Sequence, residues 1–219
     1  MSSFIPYIRD TYPEAQMIAR SADFFEWLNS RRSLRTFSDR PVPREVIENL
    51  IRAASTAPSG AHKQPWTFCA VGNADTKRKI RSAAEEEEYK SYHGRMTEEW
   101  LKDLEPFETD WEKPFLEVAP WLIVVFKKAY DLQGEDKKTN YYVNESVGLA
   151  TGMLLTAIHH AGLVALTHTP SPMNFLTSVL NRPKNERPFL LIPVGYPPED
   201  AAVPPLNRKS LDQISVFYE

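Results

Sequence analysis

The chain has 219 residues, with 26 Lys+Arg against 29 Asp+Glu, 5 His, one Cys, 18 Pro and only 8 Gly. A formal net charge of −3 argues against non-specific binding to nucleic acid or an anionic membrane, and the lone Cys69 makes no internal disulfide, which points to a reducing compartment. Hydrophobic content of 42% with 11% aromatic residues excludes a disordered chain, and neither glycine-rich phosphate cradle, G-x-G-x-x-G or G-x-x-x-x-G-K-[ST], occurs in the sequence.

The N-terminal residues 1–16 lack the basic-then-apolar order of a secretion signal. A first helix is predicted over residues 13–29, with Met17, Ala19, Phe24, Phe25, Trp27 and Leu28 as its apolar surface. The polar break Ser30-Arg31-Arg32-Ser33-Leu34-Arg35-Thr36-Phe37-Ser38-Asp39 follows. Pro43 then opens a second helix, on which Val46, Ile47, Leu50, Ile51 and Ala54 recur at helical spacing, and Pro58 stops it. Residues 66–71 read as a strand. From Asp75 to about Leu104 the pattern is one long, strongly charged helix with no continuous apolar face after Ala84.

Residues 121–127 read as a buried strand, apolar in succession rather than in alternation. The longest apolar run, 121–126, falls far short of the ~20 residues of a membrane span. Residues 142–160 form a helix that is apolar nearly all round, a pattern that marks burial on most sides, and Gly162 is placed to stop it. A short strand at 163–167, a short helix at 173–180 and a strand at 189–194 come next. The alternation of Ile214, Val216 and Tyr218 predicts an edge strand over 212–219. Strands separated by helices make a mixed α and β class around one sheet, in one domain over residues 1–219.

Several residue groups bear on chemistry. Arg31, Arg32 and Arg35 surround Ser33, and guanidinium forks with a hydroxyl match a phosphate; a solvated loop has the same composition. Arg208-Lys209 is a further basic pair. The segment Pro58-Ser59-Gly60-Ala61-His62 lies between helix and strand, so it either offers backbone N–H groups to a flavin edge or an oxyanion, or is a plain turn. A nucleophilic Ser59 would need a G-x-S-x-G elbow, which is absent. Glu88 and Tyr92 fall on one helical face, four residues apart, with Lys113 downstream. Such a set can grip the ammonium and carboxylate of an amino acid, although a charge run such as Glu85–Glu88 is also what a solvated helix looks like. The histidines carry no H-E-x-x-H and no zinc spacing, so no metal site is expected. Gly148 and Gly152, one turn apart, invite close approach of another helix from this chain or from a second subunit.

The segments 30–37, 57–60 and 64–66 resemble the flavin-dependent nitroreductase superfamily. Glu85–Glu88 with Tyr92, Trp111-Glu112-Lys113, Asn140-Tyr141-Tyr142, Thr167-His168-Thr169-Pro170, Pro193-Val194-Gly195-Tyr196-Pro197 and residues 208–214 are similar to its iodotyrosine deiodinase family. The likeness runs from about Arg31 to Val216.

This resemblance implies an α+β nitroreductase-like fold, with a central, mostly antiparallel sheet flanked by helices in a domain-swapped homodimer. It implies FMN as cofactor, met by Arg31, Arg32, Ser33, Arg35 and Arg208. Ser59 and Gly60 would come from the second subunit, and Thr167, His168 and Thr169 would line the ring. His168 departs from the threonine of animal members. The Thr169 hydroxyl is the expected donor to flavin N5 and the one catalytic group. Glu88, Tyr92 and Lys113, on a lid over about 85–115, would close on a halotyrosine, with the Ala61 backbone N–H holding its phenolate. The implied reaction is reductive dehalogenation of iodo-, bromo- or chlorotyrosine by one-electron steps, fed by a separate, unidentified electron-donating reductase, with NADP expected in the cycle. Animal members begin with a membrane anchor, for which this chain starts too late, so a cytoplasmic location is expected. Within the same fold, a general nitroreductase or quinone reductase, or a flavin-binding module without turnover, are the alternatives.

Overall fold

The computed structural model describes residues 4–134 and 136–219. The helices are α1 (Glu14–Asn29), α2 (Arg44–Ser55), α3 (Ala74–Lys90), α4 (Glu98–Leu104), α5 (Phe115–Val118), α6 (Val143–His160), α7 (Phe175–Val179) and α8 (Leu211–Ile214). The strands are β1 (Trp66–Val71), β2 (Trp121–Lys128), β3 (Tyr130–Gln133), β4 (Asp136–Thr139), β5 (Val164–Ala165) and β6 (Glu186–Gly195). The chain divides into two compact units, one ending at Arg31 and the other running from Arg32 to Glu219.

In the first unit, the Pro13 carbonyl accepts from the N–H groups of Gln16 and Met17 at 2.9 and 3.0 Å and so opens α1. The Arg20 guanidinium lies 4.3 Å over the Tyr12 ring, and Phe24 packs on Trp27 at 5.6 Å. No residue of α1 is buried, and Met17, Ile18, Phe24 and Phe25 are exposed.

The second unit is built on a four-stranded sheet of order β1-β2-β6-β5, antiparallel at every pairing. β2 is central, and Leu122 to Phe126 are wholly buried. Successive side chains of a strand point to opposite faces, and here both faces are covered. Ile123 and Val125 join Ile192, Val194, Leu50, Leu154 and Ile158 in the layer of α2 and α6. Leu122, Val124 and Phe126 join Ile80, Leu116, Leu176 and Leu191 in the layer of α3, α5 and α7. That double burial explains a strand with no polar alternation, and each such side chain contributes about 1.5–3 kcal/mol relative to exposure.

The structure departs from the sequence expectation in five places. The long helix over 75–104 is broken. α3 widens into a π turn at Ser91–Arg95, and the chain restarts at Thr97, whose hydroxyl caps α4 by accepting from Trp100 N at 3.2 Å. The tail is not an edge strand: Ser210 and Gln213 form a reciprocal capping box that winds 211–214 into a helical turn, and Val216 and Tyr218 are exposed. α6 is buried on one side only, with Gly148, Leu149, Gly152 and Met153 exposed on the other. The hairpin β3–β4 was not anticipated, and it turns through Gly134 at φ 64°. The strand expected over 163–167 is confined to Val164–Ala165, with one further bridge between His168 and Leu191. Gly162 does end α6, at φ 74°.

Candidate functional site

α3 carries Glu88 on its last turn, and the π turn that follows keeps Tyr92 on the same side. The chain then runs out through α4 and returns at residues 109–113, bringing Lys113 back against Glu88 from 25 positions away. β5 leads into Leu166, Thr167, His168 and Thr169. These segments, with Arg35, enclose a cavity of about 200 Å³ lined by Glu88, Tyr92, Lys113, Thr167, His168 and Thr169, and by the apolar Met96, Trp100, Leu104 and Phe115. The structure therefore brings together residues that the sequence reading had assigned to lid and ring contacts.

Glu88 is 8% exposed and Lys113 3%. Lys113 Nζ stands 3.8 Å from Glu88 Oε2, lies 5.3 Å from the centre of the Tyr92 ring, and donates to Asp110 O and, at 3.5 Å, to Thr109 Oγ1. Tyr92 Oη donates to Thr109 O at 3.2 Å. Burial pushes the Glu88 carboxyl above its usual range, against the pull of Lys113. Burial likewise pushes the Lys113 ammonium down, with Glu88 opposing it. His168 is driven to about 3 by burial, then by the charges of Lys113 and Arg35. It is therefore neutral at pH 7, and its 3.9 Å approach to Glu88 Oε1 is no ion pair. The charged lining is two cations, Arg35 and Lys113, against one carboxylate, Glu88. The cavity can thus take a zwitterion and an additional anionic group.

Arg35 also borders a second cleft of about 530 Å³, lined by Ser33, Thr36, Phe107, Glu108 and the strap Asp200 to Pro205. Its guanidinium lies 4.9 Å over the Phe107 ring, and burial lowers its pKa. Arg32 Nη2 donates to Pro204 O, which fastens the strap. Ser33 bridges Ala165 at the sheet edge. Arg208 lies beyond the strap and is exposed. Arg31 belongs to the first unit, where its backbone N–H donates to Leu28 O at 3.1 Å.

Ser59, Gly60 and Ala61 do not line the cavity of Glu88. They form a turn against the start of α6, where Gly60 N donates to Ser146 Oγ at 3.4 Å and Ser59 Oγ accepts from Gln64 N at 2.9 Å. A Cβ on Gly60 would stand 3.0 Å from Tyr141 O, so no side chain fits there without displacement. Ala61, His62 and Gln64 all have φ near 50°, a left-handed conformation that costs non-glycine residues energy and clusters at functional turns.

Glu85, which the sequence offers only as one end of an acidic run, has a structural part here. Its Oε1 accepts from Arg81 Nε and from the backbone N–H of Lys113, each at 2.7 Å, and so ties the returning loop to α3. The Arg81–Glu85 spacing of four was a legible signal; the contact with Lys113 was not.

The nitroreductase family profile matches residues 28–196. Iodotyrosine deiodinase from Haliscomenobacter hydrossis is 60% identical over 217 residues, covering 99% of this chain and 98% of that one. The mouse enzyme, iodotyrosine deiodinase 1, is 50% identical over 214 residues, covering 97% of this chain and 75% of that protein. Among solved structures, oxidized iodotyrosine deiodinase bound to FMN and 3-iodo-L-tyrosine superposes with a TM-score of 0.77 at 29% identity, over 89% of this chain and all of that one. Fold, site geometry and these likenesses agree, and the chain belongs to the nitroreductase family.

Proposed function

We propose that this chain is an FMN-dependent reductive dehalogenase that converts 3-iodo-L-tyrosine, and its bromo and chloro analogues, to tyrosine and halide. The observation that carries this reading is the buried Glu88–Lys113 pair beside Tyr92, on one cavity with Thr167 and Thr169. A carboxylate and an ammonium held 3.8 Å apart and out of water are the complement of an amino-acid zwitterion. That the similar deiodinase structure holds FMN and 3-iodo-L-tyrosine supports the substrate.

The residues present fit FMN. The cleft at Arg35 and Ser33 offers a guanidinium and a hydroxyl, and Arg32 stands beside it at the strap. Arg32, Ser33 and Arg35 would hold the phosphate and ring edge, with Arg208 added by family likeness, and the Thr169 hydroxyl would serve the ring as donor. FMN, when bound, supplies two electrons, taken in two single steps. The balance is halotyrosine plus two electrons and one proton giving tyrosine and halide.

The protein's part is binding and exclusion of water. Glu88 takes the α-ammonium while Lys113 and Tyr92 take the α-carboxylate, so the substrate separates the Glu88–Lys113 pair and is gripped by both members. Met96, Trp100 and Leu104 are apolar walls from the segment that would close over it. The Ala61 N–H, at a turn outside this cavity, would serve the phenolate from a second subunit. A homodimer suits the uncovered apolar residues of α1 and the exposed Gly148, Leu149, Gly152 and Met153 of α6. Electrons would come from a separate electron-donating reductase. Among the described residues no helix is long and apolar enough to cross a membrane.

The test is anaerobic mixing of the FMN-loaded, dithionite-reduced protein with 3-iodo-L-tyrosine, following flavin absorbance and free iodide. One iodide per flavin reoxidised is expected. Reoxidation by a nitroaromatic but not by iodotyrosine would overturn the reading.

A further inference from the structure

His168 is the middle residue of an extended segment, and exposure alternates along it: Thr167 and Thr169 are exposed, while His168 is buried. Its backbone is fixed on both sides, donating to Leu191 O at 2.9 Å and accepting from Leu191 N at 3.1 Å. Its ring meets Phe115 edge-on at 5.6 Å. These contacts aim Nε2 at Glu88 Oε1, 3.9 Å away, with both side chains nine-tenths or more buried. Nε2 has no hydrogen-bond partner, one of few such atoms among the described residues. Buried polar groups are almost always paired, so an aimed, unpaired nitrogen marks a bond that forms in another state of the site.

We propose that His168 is a positioning residue, which fixes the Glu88 carboxylate for the substrate's α-ammonium through an Nε2–H···Oε1 hydrogen bond formed as the site closes. The inference rests on the halotyrosine reading. A carboxylate only accepts, so the neutral imidazole facing it carries its proton on Nε2. Moving Glu88 by about 1 Å toward the ring brings the pair to hydrogen-bond distance. His168 thus acts on the substrate's amino end through Glu88, while Thr167 and Thr169, on the exposed side of the same segment, are left to the cofactor.

The experiment compares two ligands on the FMN-loaded protein by quenching of flavin fluorescence: 3-iodo-L-tyrosine, and its des-amino analogue 3-(4-hydroxy-3-iodophenyl)propanoic acid. His168→Phe keeps a ring of similar shape and removes the donor. It is expected to weaken iodotyrosine roughly tenfold or more, as loss of a hydrogen bond to a charged group does, and to leave the des-amino ligand and FMN affinity within about twofold. His168→Gln, whose amide reaches the Nε2 position, restores iodotyrosine binding, whereas the shorter His168→Asn does not. In a Glu88→Gln background, His168→Phe has no further effect. Equal losses for both ligands, a fall in FMN affinity, or failure of Gln to rescue overturns the role of His168. A wild-type protein that takes FMN but binds no iodotyrosine overturns the substrate reading instead.

Discussion

Glu88→Gln isolates the charge that the proposed function needs, because glutamine keeps the shape and removes only the carboxylate. At the 3.8 Å separation of Glu88 and Lys113, the Coulomb attraction is about 4 kcal/mol for an effective dielectric of about 20. The substrate ammonium would take Lys113's place at a similar distance. Roughly half of that attraction is offset by desolvating the incoming charge, which leaves about 2 kcal/mol, the usual size of a charge-assisted hydrogen bond. The dissociation constant of 3-iodo-L-tyrosine should therefore rise about 30-fold. FMN affinity should stay within about twofold, because Glu88 does not border the cleft of Ser33 and Arg35. Titration of oxidised flavin fluorescence measures both. An iodotyrosine constant within about threefold of wild type, in a variant that still holds FMN, would refute the idea that Glu88 grips the substrate. It would return the Glu88–Lys113 pair to a purely structural role.

Glu186 offers a pH test. Burial raises its carboxyl pKa, but hydrogen bonds from Arg182 at 2.7 Å and Thr67 at 2.6 Å outweigh burial and hold it below the ordinary 4.5. A depressed folded value contributes stability above pH 4.5 that is lost as pH falls through it. Wild type should therefore exceed Glu186→Gln by about 2 kcal/mol at pH 7, about 4–8 °C in Tm. The gap should narrow below pH 4.5, and thermal scans showing an undiminished gap at pH 3.5 would contradict it. Gly195→Ala puts a Cβ 2.6 Å from Pro120 Cδ, against a ring that cannot swing away. It should cost about 2 kcal/mol, seen as a lower urea midpoint at unchanged slope; an unmoved midpoint would show that the contact relaxes freely. Arg35→Ala removes the guanidinium common to both cavities and should weaken FMN tenfold or more. Equilibrium dialysis giving full retention of FMN would exclude Arg35 from its site.

What could be read from the sequence was the part governed by short range. β1 at Trp66–Val71 and the core strand β2 declared themselves by composition. α2 did so by the spacing of Ile47, Leu50 and Ala54, all of them buried. The alternation of Ile214, Val216 and Tyr218 reads as a strand, whereas the reciprocal capping box of Ser210 and Gln213 winds the segment into a helical turn. The break at Gly94 was hidden by the surrounding helix formers, and only the Thr97 cap ahead of two glutamates pointed to a restart. Within the site, Glu88 and Tyr92 were paired by helical spacing. The approach of Lys113 required a chain excursion through α4, and the approach of His168 spans 80 positions, a distance over which sequence pattern says nothing without the sheet. The apolar composition of α6 fits burial on most sides, and this chain by itself covers one side only, because composition does not say which chain supplies the cover.

Arg35 stands in the wall between the two cavities, and a shared wall has a thermodynamic consequence. If a ligand in the 200 Å³ cavity orients that guanidinium, its occupancy alters the affinity of the 530 Å³ cleft. Linkage then requires that the cleft's occupant alter the first ligand's affinity by the same factor. Removing the occupant of either cavity would therefore shift the dissociation constant of the other, and Arg35→Ala should uncouple the two.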